Sequence, residues 1–204
     1  MNHRPFYLAS ASPRRRELLA QAGYAPTLLR LAPERAVDET PLSGEPPLVY
    51  VKRLAQQKAL AGVAELAATG VASAPVLGAD TTVALAGEIF GKPADADEAV
   101  AMLSRLSGRE HQVLTAVALA EGDHVDLRIS VSRVRFARIG EAQIRAYAGT
   151  GEPMDKAGAY GIQGRAACFV EHLEGSYTGV MGLPLFETAD LLAQAGIVNW
   201  SGDA

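Results

Sequence analysis

Apolar runs along this chain change period several times, and small residues, glycines and prolines punctuate the changes. Phe6-Tyr7-Leu8-Ala9 reads as a strand and Ser10-Ala11-Ser12 as a turn. Pro13 fits the first position of a helix, with Ser12 as its N-cap. Leu18, Leu19 and Ala22 give that helix an apolar face, and Gly23 ends it. Residues 24–31 have the length of a second strand. Four prolines and one glycine between Ala32 and Pro47 predict a loop. A long helix is expected from Leu48 to Ala68, with Val49, Leu54, Leu60 and Val63 among its apolar positions.

Pro75 to Leu85 reads as a buried strand that Gly78-Ala79-Asp80 interrupts, and Ala86-Gly87 as a hairpin turn into Glu88-Ile89-Phe90. Gly91-Lys92-Pro93 is a turn, followed by a helix from about Asp95 to Leu106. Val113–Ala120 and Val125–Ile139 are expected as long strands joined by Glu121-Gly122-Asp123, before a short helix over Glu141–Ala148. Residues 149–165 are rich in glycine and lack periodicity, which marks a functional loop. Cys168–Leu173 and Tyr177–Met181 read as a hairpin around Glu174-Gly175-Ser176, and Leu185–Ala195 as the last helix. Hairpins joining several strands predict an α/β fold with a mixed sheet and flanking helices.

At 204 residues with 49% hydrophobic and 21% charged residues, the chain can bury a substantial core, and disorder is excluded. The length fits one domain, or two lobes sharing a core, and nothing resembles a linker. The lone cysteine, Cys168, excludes an internal disulfide and a cysteine metal cluster, which fits a reducing, cytoplasmic setting. No apolar run nears the ~18 residues of a membrane span, and Met1–Pro5 lacks the apolar stretch of a signal peptide. Residues 1–60 carry nine Lys/Arg against five Asp/Glu, a net of +4. Residues 61–204 carry ten against eighteen, a net of −8. An acidic chain is a poor nucleic-acid coat, but a small anion can bind where the early basic groups converge.

The candidate chemistry follows that charge. Ser10-Ala-Ser12-Pro-Arg14-Arg15-Arg16 puts two hydroxyls and three guanidiniums at a helix N-terminus, where free N–H groups attract anions. An ordinary helix start with solvated arginines has the same pattern. Asp80, in Gly78-Ala-Asp-Thr81-Thr82, is a carboxylate in a buried strand, suited to a general base, a metal ligand or a turn cap. Glu39 is a loop carboxylate, either a second metal ligand or solvated. Lys58 and Lys92 are phosphate ligands or plain surface lysines, and Gln163 can read a base edge. His111 and Cys168 read as structural, the cysteine as core. Together these groups suit metal-assisted hydrolysis of a phosphoanhydride, and neither a Walker A loop nor a GxGxxG motif is present.

The motifs Ser10-Ala-Ser-Pro-Arg-Arg, Val-Asp-Glu39, Arg53-Leu-Ala-Gln-Gln-Lys58, Gly78-Ala-Asp80-Thr-Thr-Val, Gly91-Lys92-Pro, Leu106-Ser-Gly-Arg-Glu-His-Gln-Val and Asp155-Lys-Ala-Gly-Ala-Tyr-Gly-Ile-Gln163-Gly resemble the Maf family, as does Gly182-Leu-Pro. They come in the family's order across residues 6–195. The resemblance implies a nucleoside triphosphate pyrophosphatase that needs a divalent cation, Mg²⁺ or Mn²⁺. It implies one Maf-like domain over 1–204, with two lobes around a central cleft, architecturally akin to inosine-triphosphate pyrophosphatases. Family members are cytoplasmic and often homodimeric.

By resemblance, Asp80 matches the family's proton acceptor. Ser10, Arg14, Arg15, Glu39, Lys58 and Lys92 match its active-site positions, and Ser12 lies beside them. Arg14, Thr81 and Gln163 look like the branch acting on dTTP and UTP rather than on 7-methyl-GTP. The implied metal ligands are Glu39 and Asp80. A few extra residues separate Lys58 from Asp80 and should leave the site undisturbed. Two other readings stay open here: a nucleotide-sensing regulator of septum formation without catalysis, and a pyrophosphatase for inosine or xanthosine triphosphate.

Overall fold

Among the described residues seven strands hydrogen-bond into one sheet: β1 (Tyr7–Leu8), β2 (Thr27–Leu28), β3 (Val76–Leu85), β4 (Glu88–Phe90), β5 (Glu110–Glu121), β6 (His124–Phe136) and β7 (Val170–Glu174). This is a computed structural model that describes residues 4–199. Met1, Asn2 and His3, part of the segment read as lacking a leader, lie outside the described residues. The strand order is β2-β1-β3-β5-β6-β7, with β4 paired to β3. β1 runs parallel to β2 and β3, and all other pairs are antiparallel. This is the mixed sheet that the hairpin pattern predicts. At the β3–β4 turn both Ala86 and Gly87 have positive φ, the backbone a two-residue hairpin requires.

Among the described residues six helices flank the sheet: α1 (Pro13–Gln21), α2 (Pro47–Ala68), α3 (Ala96–Leu106), α4 (Glu141–Ala148), α5 (Tyr177–Met181) and α6 (Leu185–Gln194). Leu18 and Leu19 of α1 and Leu191 and Leu192 of α6 pack on Leu77, Ala79 and Val117. Leu103 and Leu106 of α3 and Ile144 and Tyr147 of α4 pack with Val83, Val113 and Phe136 at the other end. Each fully buried leucine or phenylalanine contributes roughly 1.5–3 kcal/mol over an exposed one. The helix α2 lies against β3 and β5 through Val51, Ala55 and Ala59.

Several sequence expectations are corrected. β3 is continuous through Gly78-Ala79-Asp80, which pair with Ala118, Val117 and Ala116 of β5. Gly78 serves helix packing instead: a Cβ there would lie 2.5 Å from the Ala59 nitrogen and 2.6 Å from the Ala55 oxygen. Val49 and Leu60 are exposed, because small residues at Ala55, Ala59 and Gly62 define the inner face of α2. Residues 24–31 supply only the two-residue β2. Tyr177–Met181 is helical, since the Ser176 hydroxyl accepts from the Gly179 N–H at 2.9 Å and starts a helix there. Residues 149–165 form a loop that includes two short 3-10 turns, Glu152–Asp155 and Ala157–Ala159. Cys168 is exposed: in the 3-10 turn Arg165–Phe169, Ala166 and Phe169 share the inner side at a three-residue spacing, which leaves Cys168 outside.

Candidate active site

A cleft of about 1090 Å³ opens over β3, between the start of α1 and the loop after α4. Ala9–Arg16 and Glu39 line one side, β3 from Asp80 to Val83 forms the floor, and Lys92 and Met154–Ala157 face them. All ten residues singled out from the sequence (Ser10, Ser12, Arg14, Arg15, Glu39, Lys58, Asp80, Thr81, Lys92 and Gln163) line this one cavity.

At its floor two carboxylates converge on one ammonium. Lys58 Nζ donates to Asp80 Oδ1 at 2.7 Å and lies 2.6 Å from Glu39 Oε1. Lys92 Nζ reaches Glu39 Oε2 at 3.3 Å. The close approach of α2 at Gly78 makes this possible, because Ala59 touches the strand and Lys58 is its neighbour. Asp80 is buried. Burial pushes its pKa up, against the pull of the Lys58 and Arg15 charges. At Glu39 burial acts the same way but is outweighed by Lys58 and Lys92, and its pKa falls.

A cation already occupies the space between Glu39 and Asp80, so the donor set fits positive charge. Among the described residues no group of three His, Cys, Asp or Glu side chains could hold a metal ion. Two carboxylates suffice for magnesium or manganese when substrate oxygens and waters complete the shell. The Thr82 hydroxyl, on the same face of β3 as Asp80, is buried without a hydrogen-bond partner and lines the cleft. It too fits a bound polar group.

The basic wall is more constrained than its sequence implied. Arg15 spends its donors inside the protein: Nε on the Gly182 carbonyl at 2.8 Å, and Nη1 on the Ala79 carbonyl at 2.8 Å and Ser10 Oγ at 3.2 Å. Its Nη2 lies 3.4 Å from Thr81 Oγ1. Desolvation lowers its pKa, offset in part by Asp80. Arg14 pairs with Asp155 at 2.8 Å across the cleft. Ser12 stands at the N-cap position of α1, but its hydroxyl makes no capping bond, so the first-turn amides stay open. Thr81 faces away from Asp80, with Thr115 Oγ1 at 3.0 Å. Gln163 is exposed on the loop facing the floor.

Three residues of this neighbourhood escaped the sequence reading. Tyr50 lines the cleft, and its hydroxyl donates to the Glu39 carbonyl at 2.8 Å. Its place eight residues before Lys58 on one helix was the available signal. Asp155 was noted only as part of a motif, and Glu45 left no signal. His111 is buried within β5, and its Nε2 pairs with the Tyr160 hydroxyl at 2.8 Å.

The Maf-like protein family model matches residues 5–195. A dTTP/UTP pyrophosphatase of Aromatoleum aromaticum is 57% identical over 195 residues, covering 93% of this chain and 95% of the relative. A dTTP/UTP pyrophosphatase of Ralstonia nicotianae is 54% identical over 198 residues, covering 96% of each. The solved structure of a HAM1 protein from Coxiella burnetii superposes with a TM-score of 0.50 at 16% identity, over 94% of this chain and 99% of that one, and shares the fold. A family match over nearly the whole chain, with relatives above half identity, settles the grouping: the chain belongs to the Maf-like family.

Proposed function

We propose that the chain is a nucleoside triphosphate pyrophosphatase that hydrolyses dTTP and UTP to the monophosphate and pyrophosphate. The observation that carries this reading is the Lys58–Glu39–Asp80 cluster beneath an open helix N-terminus. Relatives named dTTP/UTP pyrophosphatase support it. The triphosphate lies along the basic wall, with α1 amides, Arg14, Lys58 and Lys92 neutralising its oxygens. When bound by Glu39 and Asp80, a divalent cation supplies further positive charge on those oxygens. Asp80 accepts the proton of a water attacking the α-phosphorus; burial raises its pKa, which strengthens it as a base. Arg15, held by four internal partners, contributes a fixed positive field. Lys58 must exchange carboxylate contacts for phosphate contacts as the nucleotide arrives. Gln163 reads the O4 and N3–H edge that uracil and thymine share, and Thr81 supports the same choice.

The reading carries a cytoplasmic enzyme with it, acting as one unit with two lobes and forming homodimers. No helix of the described residues is long and apolar enough to cross a membrane. The test is product analysis by ion-exchange chromatography with Mg²⁺ or Mn²⁺ over dTTP, UTP, CTP, GTP, ITP and 7-methyl-GTP. The expected result is monophosphate and pyrophosphate, chiefly from dTTP and UTP. Binding without turnover would favour a nucleotide-sensing regulator, and preference for ITP would favour a purine housecleaning enzyme.

A further inference from the structure

The loop that carries Glu39 has no helix or strand around that residue, yet its carboxylate must stand within reach of Lys58 and Asp80. Side chains of α2 hold it from below. Tyr50 Oη donates to the Glu39 main-chain carbonyl at 2.8 Å. Arg53 Nη2 donates to the next carbonyl, that of Thr40, at 3.3 Å. The same guanidinium grips Glu45 with both arms, Nε to Oε1 at 2.7 Å and Nη2 to Oε2 at 2.6 Å. Glu45 Oε2 in turn accepts from the Leu42 N–H at 3.0 Å, closing the far side of the loop.

These contacts are built more firmly than surface-loop contacts need to be. The Glu45 side chain is 4% exposed, and the Arg53 bond pulls its pKa down to about 2, so the pair stays ionised. Arg53 also sits 5.5 Å over the Tyr50 ring, so the two tethers brace each other. Tyr50 is 7% exposed. Its hydroxyl is spent on the Glu39 main chain, which makes Glu39 the group through which it acts. The eight-residue spacing of Tyr50 and Lys58 puts tether and ammonium on one face of one helix. The carboxylate and the lysine it meets are therefore registered to the same rigid element.

We propose that Tyr50 and the Arg53–Glu45 clasp are positioning groups that set Glu39 for the divalent cation, and so set the affinity of the site for that ion. The proposal rests on the reading in which Glu39 holds the cation. Tyr50→Phe tests it, since the change deletes one oxygen and keeps the ring packed. The Mn²⁺ concentration for half-maximal UTP hydrolysis rises about tenfold, while kcat at saturating Mn²⁺ and KM for UTP stay within about twofold. Calorimetric titration of Mn²⁺ into the nucleotide-free full chain shows the same weakening and needs no turnover. Glu45→Gln keeps the shape of the clasp, loses its charge and moves both readouts in the same direction. Melting temperatures of both variants separate positioning from unfolding. Unchanged Mn²⁺ dependence and affinity in folded Tyr50→Phe or Glu45→Gln would overturn the proposal. If the parent chain hydrolyses no nucleotide, the catalytic reading falls, and the Mn²⁺ titrations still decide the tether.

Discussion

Two polar groupings border the cleft, one buried and one open to it, and they are built on opposite terms. On one side His111 Nε2 and the Tyr160 hydroxyl pair at 2.8 Å, with Phe136 stacked edgewise on both rings. Burial depresses the imidazole pKa to about 4 and raises that of the phenol, so both stay neutral. On the other side Lys58, Glu39 and Asp80 share two negative charges and one positive charge. Burial pushes the Asp80 pKa up against the pull of Lys58 and Arg15, and the Thr82 hydroxyl two residues on has no partner. The first grouping is neutral and packed into the wall, with only His111 Nδ1 left without a partner. The second gathers charge where the cleft is open, which is the condition of a reactive site rather than of a core.

The comparison can be broken most sharply at Asp80. Asp80→Asn should cut UTP turnover about a thousandfold, read by pyrophosphate release. Because the folded-state pKa of Asp80 is raised, the protonated form favours folding, and that contribution is lost as pH rises through the raised pKa. Ionising this carboxyl in the folded state therefore costs stability, and thermal melting of the Asn variant should show a Tm no lower than the parent's. The acid limb of the parent's pH–rate profile should lie above the ordinary carboxylate range.

His111 should behave in the reverse way, with effects on stability and little on chemistry. Its folded pKa is depressed to about 4. Its contribution is therefore complete above the unfolded value and is lost as pH falls from about 6.5 through about 4, some ~3 kcal/mol in all. Denaturant titrations of His111→Gln across that window should lack this loss, with neutral-pH turnover retained. A smaller effect is expected at the base-facing loop. Gln163→Glu should lower kcat/KM for dTTP and UTP about tenfold at unchanged Tm. The smallest belongs to the surface pair Arg105–Glu88, which is exposed on both sides. Arg105→Ala should leave turnover untouched and shift Tm within the scatter of surface substitutions.

The same contrast explains what could be read from the chain beforehand. Strands and helices with apolar periodicity were legible: α3 to within a residue, and the β5–β6 hairpin with its turn in place but its outer ends three residues off. The inner face of α2 was not, because Ala55, Ala59 and Gly62 pack by being small rather than by being strongly apolar. For the same reason Gly78 looked like a break in β3 when it is the seat of a helix. In the cleft, the residues carrying charge or hydroxyls were visible as motifs. The partners that fix them were not: Tyr50 and Glu45 act through main-chain contacts with a loop, and such contacts have no sequence period. The internal engagement of Arg15 was equally invisible, since a guanidinium bonded to carbonyls and one free for phosphate look alike in one dimension.

The central claim is that water directed by Asp80 attacks the α-phosphorus. Hydrolysis of UTP in water enriched in heavy oxygen, with mass analysis of both products, tests it most directly. The account predicts the label in the monophosphate and unlabelled pyrophosphate. Label in the pyrophosphate, or release of orthophosphate in its place, would contradict it.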